Sequence, residues 1–276
     1  MQCFSYVVTR KCNKSCSLCP VKREKNSMMS PEIFEKISGD VFSIFMDKTE
    51  TVKFFGGEPL INFSLICYGY EYLKRQGFSG KFEIGTNGTF LDREKAEWLA
   101  ARPDIQINMN ASFGWNKEAG IIKNAIWNFC ISPDNPEETL NKLYILAPEI
   151  AVAGHRVNLL PAAYCEWLPL QLSRLDFVLE KCMKYLDKNN ISLENKKRTG
   201  SIPLFNDGPA ADCDGTVYSS NLCLADIPER IKEKIILVPG EKNYYPGPAD
   251  LIEIYGRKKI VSTYAAGEIL NKYVCR

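Results

Sequence analysis

Histidine is almost absent from this chain: His155 is the only one in 276 residues. That excludes metal centres and proton relays built on paired histidines. Long apolar runs are missing as well, and nothing approaches the roughly 20 residues that a membrane-spanning helix needs. The short apolar run Phe4 to Val8 meets Arg10 and Lys11 without a small-residue cleavage site, so the N-terminus does not read as a secretory signal. A cytoplasmic protein with no membrane association is expected. A dominant charge is the third absence. Lys and Arg number 35 against 33 Asp and Glu, a net charge of +2. The densest basic stretch, Lys181 to Arg198, is interrupted by Asp187 and Glu194, so no phosphate-tracking surface is implied and nucleic acid is not an expected partner.

Cysteine, by contrast, is abundant. Eleven cysteines is a high and odd number, and without a secretion signal it points to a reducing compartment and metal ligation rather than disulfides. The composition, 45% hydrophobic and 25% charged, suits a globular chain long enough to bury a sizeable core.

Short β-prone runs alternate with helical patterns through the first two thirds of the chain, as in successive parallel βαβ units. Strands are expected near Cys3 to Val8, Thr51 to Phe55, Lys81 to Gly85, Ile105 to Asn110, Ala125 to Ile131 and Arg156 to Leu160. Between them, Ser30-Pro31 reads as a cap and first turn, Gly77 as a left-handed helix stop, and Asp92 and Asn135 as N-caps, the latter with Glu138 in capping-box position. A longer amphipathic helix follows through Leu172, Leu175, Val178, Leu179, Cys182 and Leu186. The polar stretch Lys188 to Gly200 then suggests a boundary, dividing the chain into 1–195 and 196–276. In the second part, Asp214-Gly215 and Gly256-Arg257 read as hairpin turns of a small module.

Three thiols, Cys12, Cys16 and Cys19, fall within eight residues directly after the first strand. Such soft ligands on one loop suit an iron-sulfur cluster or zinc. A structural zinc normally takes a fourth ligand, and His155 is far away in sequence. After the second strand come Gly56-Gly57-Glu58-Pro59, where glycines permit close backbone approach and a carboxylate can accept from an ammonium group. Thr86-Asn87-Gly88-Thr89 follows the third strand and Asn110-Ala111-Ser112 the fourth. Cys3, Cys67, Cys130 and Cys182 lie in apolar patterns and read as small buried side chains. His155, at the start of the sixth strand, reads as structural.

At these residues the sequence resembles the radical S-adenosylmethionine superfamily, whose signature is a CxxxCxxC loop with an apolar residue, here Leu18, before the last cysteine. The resemblance implies an α/β fold, a partial (β/α)6 TIM-like barrel with a small hairpin-containing C-terminal module. It also implies that Cys12, Cys16 and Cys19 hold a 4Fe-4S cluster, that Leu18 packs near the adenine of S-adenosylmethionine, and that the GGEP turn of Gly56, Gly57, Glu58 and Pro59 binds the cofactor. Asn87, Ser112 and, more weakly, Asn110 are carried over as further cofactor contacts. In a parallel barrel, residues after strand ends meet at the C-terminal rim, which makes Ser132, Pro161 and Tyr164 candidates for a substrate wall.

Asp212-Cys213-Asp214-Gly215-Thr216-Val217 resembles the start of a SPASM or twitch module, although Ser220 stands where a ligand is expected and a later CxxC pair is missing. Cys165, Cys213, Cys223 and Cys275 are the candidate ligands of an auxiliary cluster, and a degenerate module without one is the alternative. The implied activity is reductive cleavage of S-adenosylmethionine to a 5′-deoxyadenosyl radical that takes hydrogen from a peptide or protein. Electrons would come from a flavodoxin- or ferredoxin-type donor. A small metabolite such as a sugar, a glycyl-radical activase role, an iron-sulfur electron carrier and a zinc-stabilised binding module are the alternatives. The early first strand leaves no room before it for a leader-binding domain, which weighs against a peptide.

Overall fold

A computed structural model describes residues 3–24, 27–197 and 208–274. Six strands occur where the sequence places them: β1 Cys3–Thr9, β2 Thr51–Gly56, β3 Lys81–Thr86, β4 Ile105–Asn110, β5 Ala125–Ile131 and β6 Arg156–Pro161. Two short strands follow, β7 Ala210–Ala211 and β8 Val217–Tyr218, paired antiparallel. The sheet order is β6-β5-β4-β3-β2-β1-β7-β8. The helices are α1 Pro31–Ile37, α2 Ser43–Phe45, α3 Phe63–Arg75, α4 Arg93–Ala100, α5 Glu137–Val152, α6 Pro169–Lys188, α7 Glu229–Lys234, α8 Pro248–Tyr255 and α9 Arg257–Val274. No helix among the described residues is long and apolar enough to cross a membrane.

The chain packs as two units. The first comprises Met1–Thr86, Asp104–Gln106 and Pro203–Asp250, the second Asn87–Pro103, Ile107–Ile202 and Leu251–Arg276. The C-terminal segment contributes residues to both units.

In the first unit β1 is buried on both faces, so it reads as a nearly continuous apolar run, as central parallel strands do. Tyr6, Phe34, Phe42, Phe54 and Phe82 make an aromatic core, with Tyr6 and Phe34 rings 4.4 Å apart and Phe54 and Phe82 stacked at 6.0 Å. Ser30 caps α1 by accepting from the Ile33 N–H at 3.3 Å, with Pro31 in the first turn. Gly77 ends α3 at φ +91°. The turn at Asp214-Gly215 forms the expected hairpin between β7 and β8.

In the second unit Asp92 caps α4 through the Lys95 N–H. Three expectations are corrected by the structure. Asn135 does not cap α5 with its side chain: Pro136 occupies the cap position and Asn135 supplies only its carbonyl, to the Glu138 N–H. Gly256-Arg257 is not a hairpin turn but the joint between α8 and α9, with Gly256 at φ +85° as a left-handed stop. The buried positions Ile260, Thr263, Ala266, Leu270 and Val274 carry the helical spacing that decides it. Of the four cysteines expected to be buried, Cys182 is; Cys3 and Cys67 are half-buried, and Cys130 is exposed. Cys130 sits on the face of β5 opposite Trp127, Phe129 and Ile131, all buried, so a hydrophobic strand does not bury both of its faces here.

His155 is buried between two fixed partners. Its Nδ1 accepts from the Trp127 Nε1–H at 3.1 Å, which leaves Nε2 to carry the proton and donate to the Ile122 carbonyl at 2.7 Å. Burial, partly offset by the bond to Ile122, holds its pKa below the usual histidine value. The unfolded chain therefore takes up the proton first. The neutral ring's contribution to stability is complete above pH ~6.5 and is lost as pH falls through the lower folded value. Thermal unfolding midpoints of wild type should drop more steeply than those of His155→Gln as pH is taken from about 7 to about 5; parallel curves would assign the acid sensitivity elsewhere.

Candidate cluster and cofactor site

The thiol loop leaves β1 at Thr9, whose hydroxyl accepts from the Lys11 N–H at 3.1 Å and donates to the Ser27 carbonyl at 2.9 Å. Cys12 is half-buried, and its sulfur accepts from the Lys14 N–H at 3.4 Å; Cys16 and Cys19 are exposed, joined by a turn in which the Cys19 N–H donates to the Cys16 carbonyl. Leu18 is half-buried between them. Arg23 donates to the Lys14 carbonyl and, at 2.9 Å, to the Ser15 hydroxyl, bracing the loop from outside.

Both ends of this loop are anchored through one buried residue. Arg10, 3% exposed, donates from Nε to Asp212 Oδ1 at 2.9 Å and from Nη2 to Oδ2 at 2.5 Å, a two-pronged ion pair. Its guanidinium also donates to the Cys223 and Lys22 carbonyls at 3.0 and 3.3 Å, and its own carbonyl accepts from the Glu24 N–H. The loop exit is fastened to the same C-terminal segment: Val21 bridges Ala225, the Lys22 N–H donates to the Leu224 carbonyl at 2.7 Å, and Lys22 pairs with Asp226. Arg10 and Asp212 lie 202 positions apart, and no local pattern marks them as partners.

The Gly56-Gly57 turn presses on the loop entry. A Cβ on Gly56, which has φ +154°, would sit 1.9 Å from the Thr9 carbonyl oxygen, and one on Gly57 would sit 2.2 Å from that of Lys11. The Gly57 and Glu58 N–H groups donate to those same carbonyls at 2.8 and 2.7 Å. The close approach that the glycines permit is thus first of all to the thiol loop. Glu58 is fully buried and accepts from the Leu60 N–H at 3.0 Å and the Thr86 hydroxyl at 2.5 Å, and buried Pro59 opens a short helical turn, Pro59–Asn62. From that turn Asn62 donates to the Val8 and Met29 carbonyls at 2.9 and 3.1 Å.

In the second unit, Asn87 Oδ1 accepts from the backbone and hydroxyl of Thr89, and the Gly88 carbonyl accepts from Asn116. Ser112 is exposed, with its N–H held by Asn110 Oδ1 at 2.9 Å. Ser132 is half-buried and accepts from the Asp134 N–H, and Pro161 is half-buried at the end of β6. Tyr164 is buried at φ +61°, its ring stacked on Tyr255 at 4.2 Å and its N–H donated to Thr263.

The auxiliary candidates are each engaged separately. Cys213 is buried and its thiol donates to the Val7 carbonyl at 3.0 Å. Cys223 is buried in the turn Asn221–Leu224, which Ser220 caps through the Leu222 N–H. Cys165, in the second unit, donates to the Ala162 carbonyl at 3.3 Å. Cys275 lies outside the described residues.

Cys12, Cys16 and Cys19 are of the soft donor type that an iron-sulfur cluster takes and share one anchored, partly exposed loop, but their side chains are not gathered at metal-holding distance. Among the described residues no three His, Cys, Asp or Glu side chains are gathered as a metal cage. The Cys16 pKa is pushed up by burial and then by Cys19 and Cys12. A bound cation reverses the sign of that last effect and holds such sulfurs as thiolates.

The model of the radical SAM superfamily matches residues 6–144. The radical SAM cyclopropyl synthase TigE of Paramaledivibacter caminithermalis is similar at 27% identity over 117 residues, covering 36% of this chain; the chain spans only 25% of that relative's length. Among solved structures, native anSMEcpe with bound AdoMet and Kp18Cys peptide is similar with a TM-score of 0.63 at 15% identity, over 95% of this chain and 83% of that one. Streptococcus suis SuiB bound to precursor peptide SuiA gives a TM-score of 0.58 at 14% identity, over 94% of this chain and 65% of that one. At these identities the likeness establishes the fold.

Truncating one partner of a buried ion pair leaves the other charge uncompensated. Asp212→Ala should therefore cost about 3–5 kcal/mol in denaturant unfolding, and Arg10→Met with Asp212→Leu should recover most of it. A single variant as stable as wild type would show that the pair does not anchor the loop.

Proposed function

The chain belongs to the radical SAM superfamily, and from that premise we propose that it is an enzyme that modifies a peptide or protein. Cys12, Cys16 and Cys19 are its cluster ligands in this reading. When bound, the 4Fe-4S cluster and S-adenosylmethionine supply reductive cleavage of the sulfonium to a 5′-deoxyadenosyl radical, which takes hydrogen from the substrate. The observation that carries the reading is the backbone contact between the thiol loop and the Gly56-Gly57 turn, which sets a cluster-ligand loop against a glycine turn within one packed unit.

The chain's own groups divide the work. With the N–H groups of Gly57 and Glu58 spent on the loop, the turn has carbonyls left to offer, and carbonyls are what an ammonium group such as that of S-adenosylmethionine requires. Glu58 and Pro59 hold the turn's shape from beneath, since the Glu58 carboxylate is taken by Leu60 and Thr86. Leu18, half-buried beside Cys19, supplies apolar surface for the adenine. Asn87 orders its turn and exposed Ser112 offers a hydroxyl to the cofactor. Ser132, Pro161 and Tyr164 are the proposed substrate wall, Tyr164 being held by Tyr255 and Thr263.

A single cluster is proposed, because the Cys213 thiol is committed to Val7 and the Cys223 segment to Arg10. The C-terminal segment then serves as a clamp on the thiol loop. The peptide class is supported by the peptides bound in anSMEcpe and SuiB. A flavodoxin- or ferredoxin-type protein is the proposed electron donor.

After anaerobic reconstitution, wild type should carry about four irons per chain and form 5′-deoxyadenosine from S-adenosylmethionine and a reductant. Cys16→Ala should form none while keeping its circular dichroism; undiminished formation refutes the ligand assignment. The Cys213→Ala/Cys223→Ala variant should hold the same iron as wild type, and about eight irons in wild type falling to about four in the variant would establish a second cluster.

A further inference from the structure

Three asparagines stand in register on neighbouring strands of the second unit. Asn110 on β4 pairs with Asn128 on β5, and Asn128 with Asn158 on β6. Parallel partners point to the same side of a sheet, so the three side chains share a face. On the opposite face the alternate residues Met109, Trp127, Val157 and Leu159 are buried in the apolar core. The asparagine face is more open: Asn110 and Asn128 are half-buried, and Cys130, two residues beyond Asn128, is exposed.

The hydrogen bonds orient this row. Asn110 Oδ1 is committed to the Ser112 N–H at 2.9 Å, and Asn128 Oδ1 to Asn158 Nδ2 at 2.9 Å. Each of the two more open amides therefore has one lone pair of its oxygen engaged inside the protein, which makes its Nδ2 donors the larger part of what it offers a ligand. Asn158 beside Asn128 is 6% exposed, and its Oδ1 is buried with no hydrogen-bond partner among the described residues. A buried carbonyl left unpaired costs stability that an apolar residue at the same place would not. Its retention is explained if the Nδ2 bond that orients Asn128 is what the position is for. The donors are also neutral: Arg156, two residues before Asn158 on β6, is taken by Glu194 at 2.6 Å and by Asn124. An uncharged row of amide donors matches neutral carbonyl oxygens better than a carboxylate or phosphate, which would call for a cation.

We propose that Asn110 and Asn128, with Asn158 as the residue that positions Asn128, form a substrate subsite that donates N–H bonds to the backbone carbonyls of a peptide beside Cys130, which moves Asn110 from the cofactor contact implied by the family resemblance to the substrate. This rests on the peptide reading above and names residues that the reading itself does not require. Neither Asn128 nor Asn158 follows a strand end, so the sequence pattern alone does not single them out.

The test uses the exposed thiol as a reporter. The reconstituted chain is treated with iodoacetamide, alone, with S-adenosylmethionine, and with S-adenosylmethionine plus a library of random capped hexapeptides, and alkylation of Cys130 is followed by mass spectrometry. Retention on the immobilised library is measured in parallel. Wild type should be retained, and the library should slow Cys130 alkylation about three- to tenfold when supplied at a few times its dissociation constant. Asn128→Leu and Asn158→Leu should both lose that protection. Asn128→Leu, at a half-buried position, keeps the test valid if Asn158→Leu fails to fold by circular dichroism. Retention without protection of Cys130, or protection undiminished in the variants, overturns the subsite and leaves the peptide reading standing. Full protection by S-adenosylmethionine alone assigns the row to the cofactor and also overturns it. No retention of wild type by the library removes the peptide reading and the subsite together.

Discussion

The thiol loop depends on a guanidinium that lies two residues before its first cysteine. Arg10 is buried, reaches Asp212 with both prongs, and ties down the carbonyls of Lys22 and Cys223. A loop carrying three thiols and no fully buried side chain between Lys11 and Pro20 has little apolar surface with which to fix its shape. The ion pair substitutes for that missing core. Its desolvation is offset by geometry, since Asp212 meets two guanidinium N–H groups and the Cys213 N–H, and two further guanidinium donors find the Lys22 and Cys223 carbonyls.

The Gly56-Gly57 turn completes the same construction from the other side. Its two glycines let β2 end in van der Waals contact with the backbone that enters the loop, and its N–H groups saturate the carbonyls of Thr9 and Lys11. Glu58, which in isolation reads as a ligand-binding carboxylate, turns inward and closes the turn on Leu60 and Thr86. In a buried setting a carboxylate is retained only where donors meet it, and here they do. The first unit thus builds a rigid frame from charged and polar groups and leaves the sulfurs on its surface.

Much of this was legible from the sequence. The six strands appear within a residue or so of their expected ends, because β-prone runs bounded by glycine, proline and caps are local signals. Ser30, Gly77 and Asp92 do the capping work their chemistry predicts. Gly256 reads as a hairpin turn in the sequence because a left-handed glycine ends helices as readily as it joins strands, and only the buried spacing of α9 tells them apart. Cys130 was misplaced because a strand rich in apolar residues does not say which of its faces is covered.

The sequence by itself determined the chemistry on offer: soft thiols at metal-ligand spacing, a glycine turn after the second strand, and a parallel α/β order. These are properties of short segments, and short segments carry them intact. Tertiary structure decided what each group is committed to. Arg10 finds Asp212 across 202 residues, Cys213 gives its thiol to Val7, and Asn128 is oriented by Asn158 through strand register. Hydrogen bonds are directional and saturable, so the use of a polar group is fixed only when its partner arrives, and in this chain the decisive partners arrive from far along the sequence.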